Sequence, residues 1–528
     1  MGGGKVDGTY DAVFVGAGHN ALVAAAYLAR AGRRVLVLDR NDRPGGYLQT
    51  WELAPGIAYD PFASVVPLFA AGPVMADLGP ELASHGLDLL DTPYPTGISL
   101  EDGTTAVLPR AHAELLGEAD RLQAGDGAAM EALLTTFGDG TGAVFDLLGQ
   151  DLADPAAEAT LVGLLRRGGA WSSLAPAALD TPRDAVRAFG SEAMRTLLAD
   201  WSLHVCAKGP DDAGGGLWTR LALLAFVGAG MPLPKGGAAR LVDALVGIVE
   251  ANGGEVAAGV EVRRIVVEGG VATGVETESG ASWGAREAVV AGVGPDQLYL
   301  SLLAGAAVPP EVARQARGYC YGSSAMQVHL ALHSPPAWPD ERFSGSGQLF
   351  LADSLDGTAM HVAQARAGLL PAHPTMTIDC PTDRDPTRAP GGEAVVRIQA
   401  TDVPFRPRGD AAGEIEVGDG TWGDALTDRY ADRMLDVVER HLPGTRAAML
   451  HRAVVTPDAI ARFNPNSGPG DLYGGAASLA QNLLWRPLAA APGVRTFVPN
   501  LYLVGAATWP GSGVNGASGH LVAKLLLG

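Results

Sequence analysis

Cysteine is nearly absent from the chain: three in 528 residues, Cys206, Cys320 and Cys380, far apart and with no CxxC pair. That spacing excludes a dithiol–disulfide active site and fits buried free thiols in a reducing compartment. Positive charge is scarce as well. Lysine and arginine total 38 against 58 acidic residues, a net charge of −20, which repels nucleic acid and anionic membrane surfaces. Nucleic acid is excluded as a partner; the acidity is a solvated surface or an attraction for cationic substrates. Long apolar runs are missing too. The longest, "LALLAFVGAGM" at 221–231, falls well short of the roughly 20 residues that cross a bilayer, so it reads as a buried helix or pocket wall rather than an integral membrane segment. The first residues, "MGGGKVDGTY", hold no apolar core for a leader, and Val6 stands where a myristoylation motif needs Ser or Thr. A cytoplasmic location is expected. No HExxH or other metal spacing occurs and no GxSxG elbow, so no metal site is expected and serine-type hydrolysis has no support.

Glycine and alanine are what the chain has, in a telling order. "YDAVFVG" (10–16) is a short β-branched, apolar run of the kind that forms a buried parallel strand. Gly16-Ala17-Gly18 follows, then the helix-forming "HNALVAAAYLARAG" closed by Gly32, then a second strand in "RRVLVLD". This is a right-handed βαβ unit. Gly16 permits the tight turn, Gly18 lets backbone amides meet a pyrophosphate at the helix's positive end, and Ala21 keeps helix and strand close. His19 and Asn20 open the helix. Asp39, 21 positions after Gly18, ends the second strand, where a carboxylate accepts hydrogen bonds from a ribose diol. The expected ligand is a dinucleotide, nicotinamide or flavin. Arg40 follows, and Gly45-Gly46-Tyr47 places bare backbone beside the ligand again.

Three blocks carry a resemblance. "GAGHNALVAAAYLARAGRRVLVLDRNDRPGG", the central "PLPKGGAARLVDALVGIVEANGGEVAAGVEVRRIVVEGGVATGVETESG" and the terminal "NLYLVGAATWPGSGVNGASGHLVAKLLL" resemble the phytoene desaturase-like flavoproteins of the flavin amine oxidase superfamily. The resemblance implies FAD and hydride chemistry on a small organic substrate. It also implies that Val262 lies against the adenine through its backbone, and that Gly505 and the 506 position approach the ribityl-phosphate chain. Many relatives carry an acid at that last position; this chain has Ala506. The turn with Gly513, Val514 and Asn515 opens the final helix, where amides could stabilise negative charge on a reduced flavin.

The resemblance and the element pattern imply an α/β fold: a Rossmann-like FAD-binding domain in three segments, 1–75, 232–298 and 485–528, and an α+β substrate domain from 76–231 and 299–484. "EVAAGVEVRRIVVE" reads as one strand and "ALTDRYADRMLDVVERHLPG" as an amphipathic helix. Trp509 and Thr508, just before the glycine turn, are the first candidates for the substrate face of the flavin. His204 and His329 are candidate bases, because imidazole titrates near neutrality. The stretch "TPDAIARFNPNSGPGDLYGGAASLAQNLLWRP" resembles one that runs back to the flavin, which places Tyr473, Gln481 and Trp485 near the substrate. The reading is an FAD-dependent dehydrogenase or desaturase; an alcohol or amine oxidase and a non-redox flavoprotein are the rivals. The electron acceptor, oxygen or a quinone, and a homodimeric assembly are open.

Overall fold

The computed structural model describes residues 8–136, 141–166 and 177–528; residues 1–7, on which the leader and myristoylation readings rest, lie outside them. Two seven-stranded sheets organise the chain. In the first, Gly8–Val15 pairs in parallel with Val35–Leu38 on one side and Ser282–Ala291 on the other, and Leu501–Leu503 adds in parallel to Ser282–Ala291. These strands are buried on both faces, which is why they read as continuous Val/Leu/Ala runs. Helices His19–Arg30 and Ala239–Ala251 cover one face. The first ends as its glycine suggests, with Gly32 at φ +80° just past the Ala31 cap.

One expectation fails here. "EVAAGVEVRRIVVE" is two strands, Glu255–Ala257 and Val262–Glu268, at opposite ends of the hydrogen-bonded order. The break is Gly259 at φ +70°. There the chain crosses the end of the second strand, with the Gly259 and Val260 amides donating to the Asn41 and Asp39 carbonyls. Three helical stretches that reach beyond the expected boundaries at 75 and 298 also pack on this sheet. Leu78 and Leu82 of the helix Pro73–Ser84 join one face, and Tyr299, Leu302, Val312 and Ala316 the other.

The second sheet runs Met449–Val455, Ser324–Leu332, Ala394–Val403, Met376–Asp379, Gln348–Ala352, Thr96–Leu100, Thr105–Leu108, so both insertions supply strands to it. Its two faces differ sharply. Val328, Leu330, Val396, Ile398 and Ile378 point to one side, where the amphipathic helix Asp424–His441 seals them with Tyr430, Met434 and Val438. That helix stops before Pro443, which cannot continue it. The opposite face carries Gln327, His329, Arg397, Gln399, Thr377 and Asp379, side by side by register, and all are buried.

The sheets are tied by a fully buried guanidinium. Arg388 Nη1 lies 2.6 Å from Asp60 Oδ2 and Nε 3.1 Å from Asp385 Oδ2, while Nη2 donates to the Pro234 carbonyl. Asp60 also accepts from Thr50 Oγ1, Ser64 Oγ and the Ala238 amide, and Asp385 from the Gly236 amide. Burial works against the charge on Asp385, but hydrogen bonds from Thr387 and Gly236, with Arg388 alongside, hold its carboxyl below the usual 3.8. The carboxylate therefore stabilises the fold above about pH 4, and that contribution is lost as pH falls through its lowered folded-state value. Arg388→Met should cost about 3–5 kcal/mol, because it strands two buried carboxylates. The check is thermal and urea unfolding across pH; equal stability of variant and parent would show that the network is dispensable.

Candidate functional site

The glycine turn, the second strand and the final helix meet at one place. Gly16 adopts φ +91°. Gly18 caps the helix His19–Arg30 without any side-chain hydrogen bond, and no acid occupies the first turn, so its leading amides are free for an anion. A Cβ placed on Gly18 would meet no atom within 4 Å, although Gly18 and Gly45 are bridged and the Gly45 amide donates to the Ala17 carbonyl at 2.8 Å. The turn thus borders open space that backbone, not side chain, defines: a cradle of the shape a pyrophosphate needs. Asp39 is buried. Its Oδ2 accepts from the Ala17 amide at 2.7 Å and its Oδ1 from the Asn41 amide at 2.8 Å. Burial raises its pKa against those two bonds. Each oxygen keeps a lone pair for a diol, so Asp39 both braces the turn and can take the ribose. Arg40 instead points to solvent, 3.7 Å from Glu261. Val262 is a buried first residue of its strand, beside the 259–260 crossing.

The two ends of the chain are bolted together behind this cradle. The Gly505 amide donates to Ser518 Oγ, which donates to Asn20 Oδ1, and Asn20 Nδ2 meets His19 Nε2, each at 3.0 Å. At the crossing of the two helices a Cβ on Gly519 would lie 1.9 Å from the Asn20 carbonyl oxygen, so only glycine fits. Ala21 is buried in the same core. Asn515, one residue before the Gly516 cap of the final helix, accepts from the Ala517 amide with its Oδ1 at 2.9 Å.

In front of these motifs lies a cavity of about 700 Å³. His19, Tyr47, Ala506, Gly513, Val514 and Asn515 form the side nearest the glycine turn and the final helix. Tyr47 is wedged against Phe62, with ring centres 4.7 Å apart, and its hydroxyl pairs with Ser467 Oγ. The facing wall comes from the helices Glu192–Cys206 and Gly215–Ala229 and from the polar face of the second sheet. Trp201, Phe226, Leu221 and Ala222 make most of it apolar. Trp201 is held by Nε1 donating to Thr96 Oγ1 at 3.1 Å and by edge contacts with Phe226 and Phe350. Gln348, Arg397 and Gln399 interrupt the apolar surface.

Tyr473 and His204, both read from sequence, reach this cavity. The Tyr473 turn is held by Asp471, whose carboxylate accepts from the amides of Gly322, Tyr473 and Gly475. His204 is kept neutral: burial, with Arg397 nearby, lowers its pKa to about 3. An unfolded chain would take up that proton below about 6.5, so His204 costs stability as pH falls from there toward 3 and has no effect above. It cannot gain charge in the range where a histidine base works.

Five other candidates are elsewhere. Thr508 is fully buried, its hydroxyl donating to the Gly505 carbonyl at 2.8 Å as a turn brace. Trp509 turns away from the cavity into a cluster with Val144, Leu147, Leu217 and Leu221, its Nε1 donating to the Leu147 carbonyl at 2.8 Å. His329 is enclosed in the second sheet against Tyr59, 4.6 Å between ring centres, and burial lowers its pKa to about 3. Gln481 engages the Cys320 backbone with its amide, and Trp485 lies 47% exposed on the surface. Sequence reasoning missed Arg397, Gln399, Gln348 and Trp201.

The family model for flavin containing amine oxidoreductases matches residues 22–527. Pyridine nucleotide-disulfide oxidoreductase domain-containing protein 2 of Mus musculus is 28% identical over 99% of this chain and 94% of its own. A limonene dehydrogenase polypeptide of Castellaniella defragrans is 26% identical over 97% and 94%. A phytoene desaturase (lycopene-forming) of Pseudescherichia vulneris is 24% identical over 98% of each. Among solved structures, an oxidoreductase from Methanosarcina mazei superposes with a TM-score of 0.62 at 16% identity, covering 97% of this chain and 99% of that one.

Gly18→Val should abolish retention of the dinucleotide, because the branched side chain fills the space now bounded by backbone alone. Asp39→Ala should weaken binding by about 1–3 kcal/mol, the worth of a charge-assisted hydrogen bond. Flavin content after gel filtration and titration of the apoprotein read both; parental binding in the two variants would sink the assignment of this turn.

Proposed function

The chain belongs to the family of flavin-containing amine oxidoreductases and is an FAD-dependent oxidoreductase; from that premise we propose that it is a dehydrogenase that withdraws a hydride from a mostly apolar organic substrate and, with the accompanying proton released to solvent, leaves a double bond. FAD, when bound, supplies the hydride acceptor. Gly16, Gly18, Asp39, Gly45 and Gly46 would hold its adenosine and pyrophosphate, and the 505–515 loop would serve its ring end. The protein's own work is to hold the substrate against that ring and to keep water out, which the wall of Trp201, Phe226 and Leu221 does.

The observation that carries the reading is the composition of the cavity wall. It is mostly apolar, and Arg397 is its buried charge; Asp146 and Lys524, the other charged members, are exposed. A cationic amine would face Arg397 with no buried carboxylate to receive it, which disfavours the amine-oxidase rival. Two of the wall histidines are not poised to take a proton: His204 stays neutral down to about pH 3 and His19 to about 4, both through burial. A reaction that needs no strong base suits such a wall. Relatives named as a dehydrogenase of limonene and a lycopene-forming desaturase point the same way.

Anaerobic mixing with apolar alkenes, alcohols and primary amines should bleach the flavin stoichiometrically with the first or second class, and the reduction rate between pH 5 and 8 should show no limb from His204. Bleaching by amines alone would establish the amine-oxidase rival. Photoreduction without turnover of any class would favour a non-redox role.

A further inference from the structure

Polar atoms without partners are rare inside proteins, because each buried donor or acceptor that gives up water needs a replacement. The cavity wall holds a group of them. Arg397 is 4% exposed; its Nε lies 2.8 Å from Asp379 Oδ1 and its Nη1 donates to the Phe62 carbonyl at 2.8 Å, but Nη2 has no hydrogen-bond partner. Gln399, two residues along the same strand and 5% exposed, and Gln348, 1% exposed, also line the cavity, and neither side-chain amide bonds to any described residue. His204 Nδ1 is likewise buried and unpartnered.

Resting on the dehydrogenase reading of this site, we propose that the cavity recognises its substrate by one carbonyl-type oxygen, a carboxylate or a neutral carbonyl, at the end of an otherwise apolar body. Arg397 Nη2 and the amides of Gln348 and Gln399 are the donors that receive it. The geometry is that of a receptor rather than of an ion pair awaiting completion. Asp379 and the Phe62 carbonyl already hold the guanidinium flat by two of its nitrogens, which leaves the third as a fixed, preorganised donor. The glutamine amides can turn a donor to the same oxygen without adding charge, and the fixed positive charge of Arg397 makes the subsite accept oxygen and reject ammonium. Trp201, Phe226, Leu221 and Ala222 offer nothing to a second polar group; elsewhere in the lining His204 Nδ1 and Trp218 Nε1 are also buried without partners.

The test uses the FAD-loaded protein and four probes of matched length: decanoate, methyl octyl ketone, decylamine and decane. Binding is read without turnover, from the perturbation of the flavin spectrum and the rise in melting temperature. Decanoate or the ketone should bind about tenfold or more tightly than decylamine and decane, the scale of a charge-assisted hydrogen bond. Decanoate leading identifies a carboxylate and the ketone leading a neutral carbonyl, and both support the subsite. Gln348→Leu and Gln399→Leu break no bond of the structure, so they should fold and yet lose oxygen-probe affinity several-fold. Arg397→Met paired with Asp379→Asn removes both charges together and should lose at least about tenfold. Equal binding of decylamine or decane would overturn the proposal. So would leucine variants that gain stability and bind decanoate as the parent does, the mark of a wall filled by water alone. If no substrate class ever bleaches the flavin while decanoate still binds through Arg397, the hydride-transfer reading falls and the subsite stands.

Discussion

The arrangement of the whole molecule depends on one buried guanidinium. Arg388 joins Asp60, which follows the first flavin motif, to Pro234 in the central motif and to Asp385 beneath the second sheet. Those stretches are far apart in sequence, and two of them border the cavity: Phe62 and Ser64 come just after Asp60, and Met231 just before Pro234. Three charged groups out of water cost several kcal/mol each unless every lone pair and proton is matched. Here Thr50, Ser64 and the amides of Gly236 and Ala238 complete the set. An apolar contact would tolerate sliding; this network has only one register. The stretches that border the cavity on either side of Arg388 are thereby joined by charge as well as by packing.

The second sheet takes on the opposite problem. Its outer face is ordinary core, closed by the helix Asp424–His441. Its inner face carries as many polar side chains as a solvent-facing strand would, yet is shut away from solvent. Part of the cost is offset by the Asp379–Arg397 pair and by the Phe62 carbonyl, which accepts from both Gln327 and Arg397. The remainder, at Arg397 Nη2, Gln327 Oε1 and Thr377 Oγ1, has no partner among the described residues; Arg397 borders the cavity with Gln348 and Gln399, and a functional site is where such an imbalance is expected to be corrected.

Local chemistry was legible in the sequence and spatial adjacency was not. The βαβ unit, its glycines and Asp39 follow from short-range rules, and so does the final helix. Arg397 and Gln399 were invisible because "AVVRIQATDV" alternates as an exposed strand does; period two says that a face is polar, not whether water or a cavity lies opposite. Trp509 was misplaced for a related reason. It abuts the glycine loop in sequence, but the turn braced by Thr508 sends its ring toward Leu147. Gln481 and Trp485 belong to a returning segment that does approach the cavity, but Tyr473 of that segment is the one that turns inward, where Asp471 gathers three amides around it. The run 255–268 looked like one strand because hydrophobicity continues through Gly259, while the backbone does not.

Ala506 shows how a missing acid is absorbed. With no carboxylate after Gly505, what Arg486 meets at this position is the Ala506 backbone, while the buried Asp471 carboxylate lies in its field. Arg486, 2% exposed, instead donates to carbonyls: Nη2 to Ala506 at 2.6 Å and to Tyr473 at 3.2 Å, and Nε to Ala506 at 3.2 Å. A guanidinium suits this role because it has five donors in a plane and stays charged in any environment a protein provides. The result is mechanical. The loop that carries Ala506 and the turn that carries Tyr473 to the cavity hang from one side chain, so neither can shift without the other. Together with Arg388 at the opposite side, this leaves the two faces of the cavity few independent motions, which is the condition under which a carbon held by a distant oxygen contact can be presented to the flavin at a constant distance.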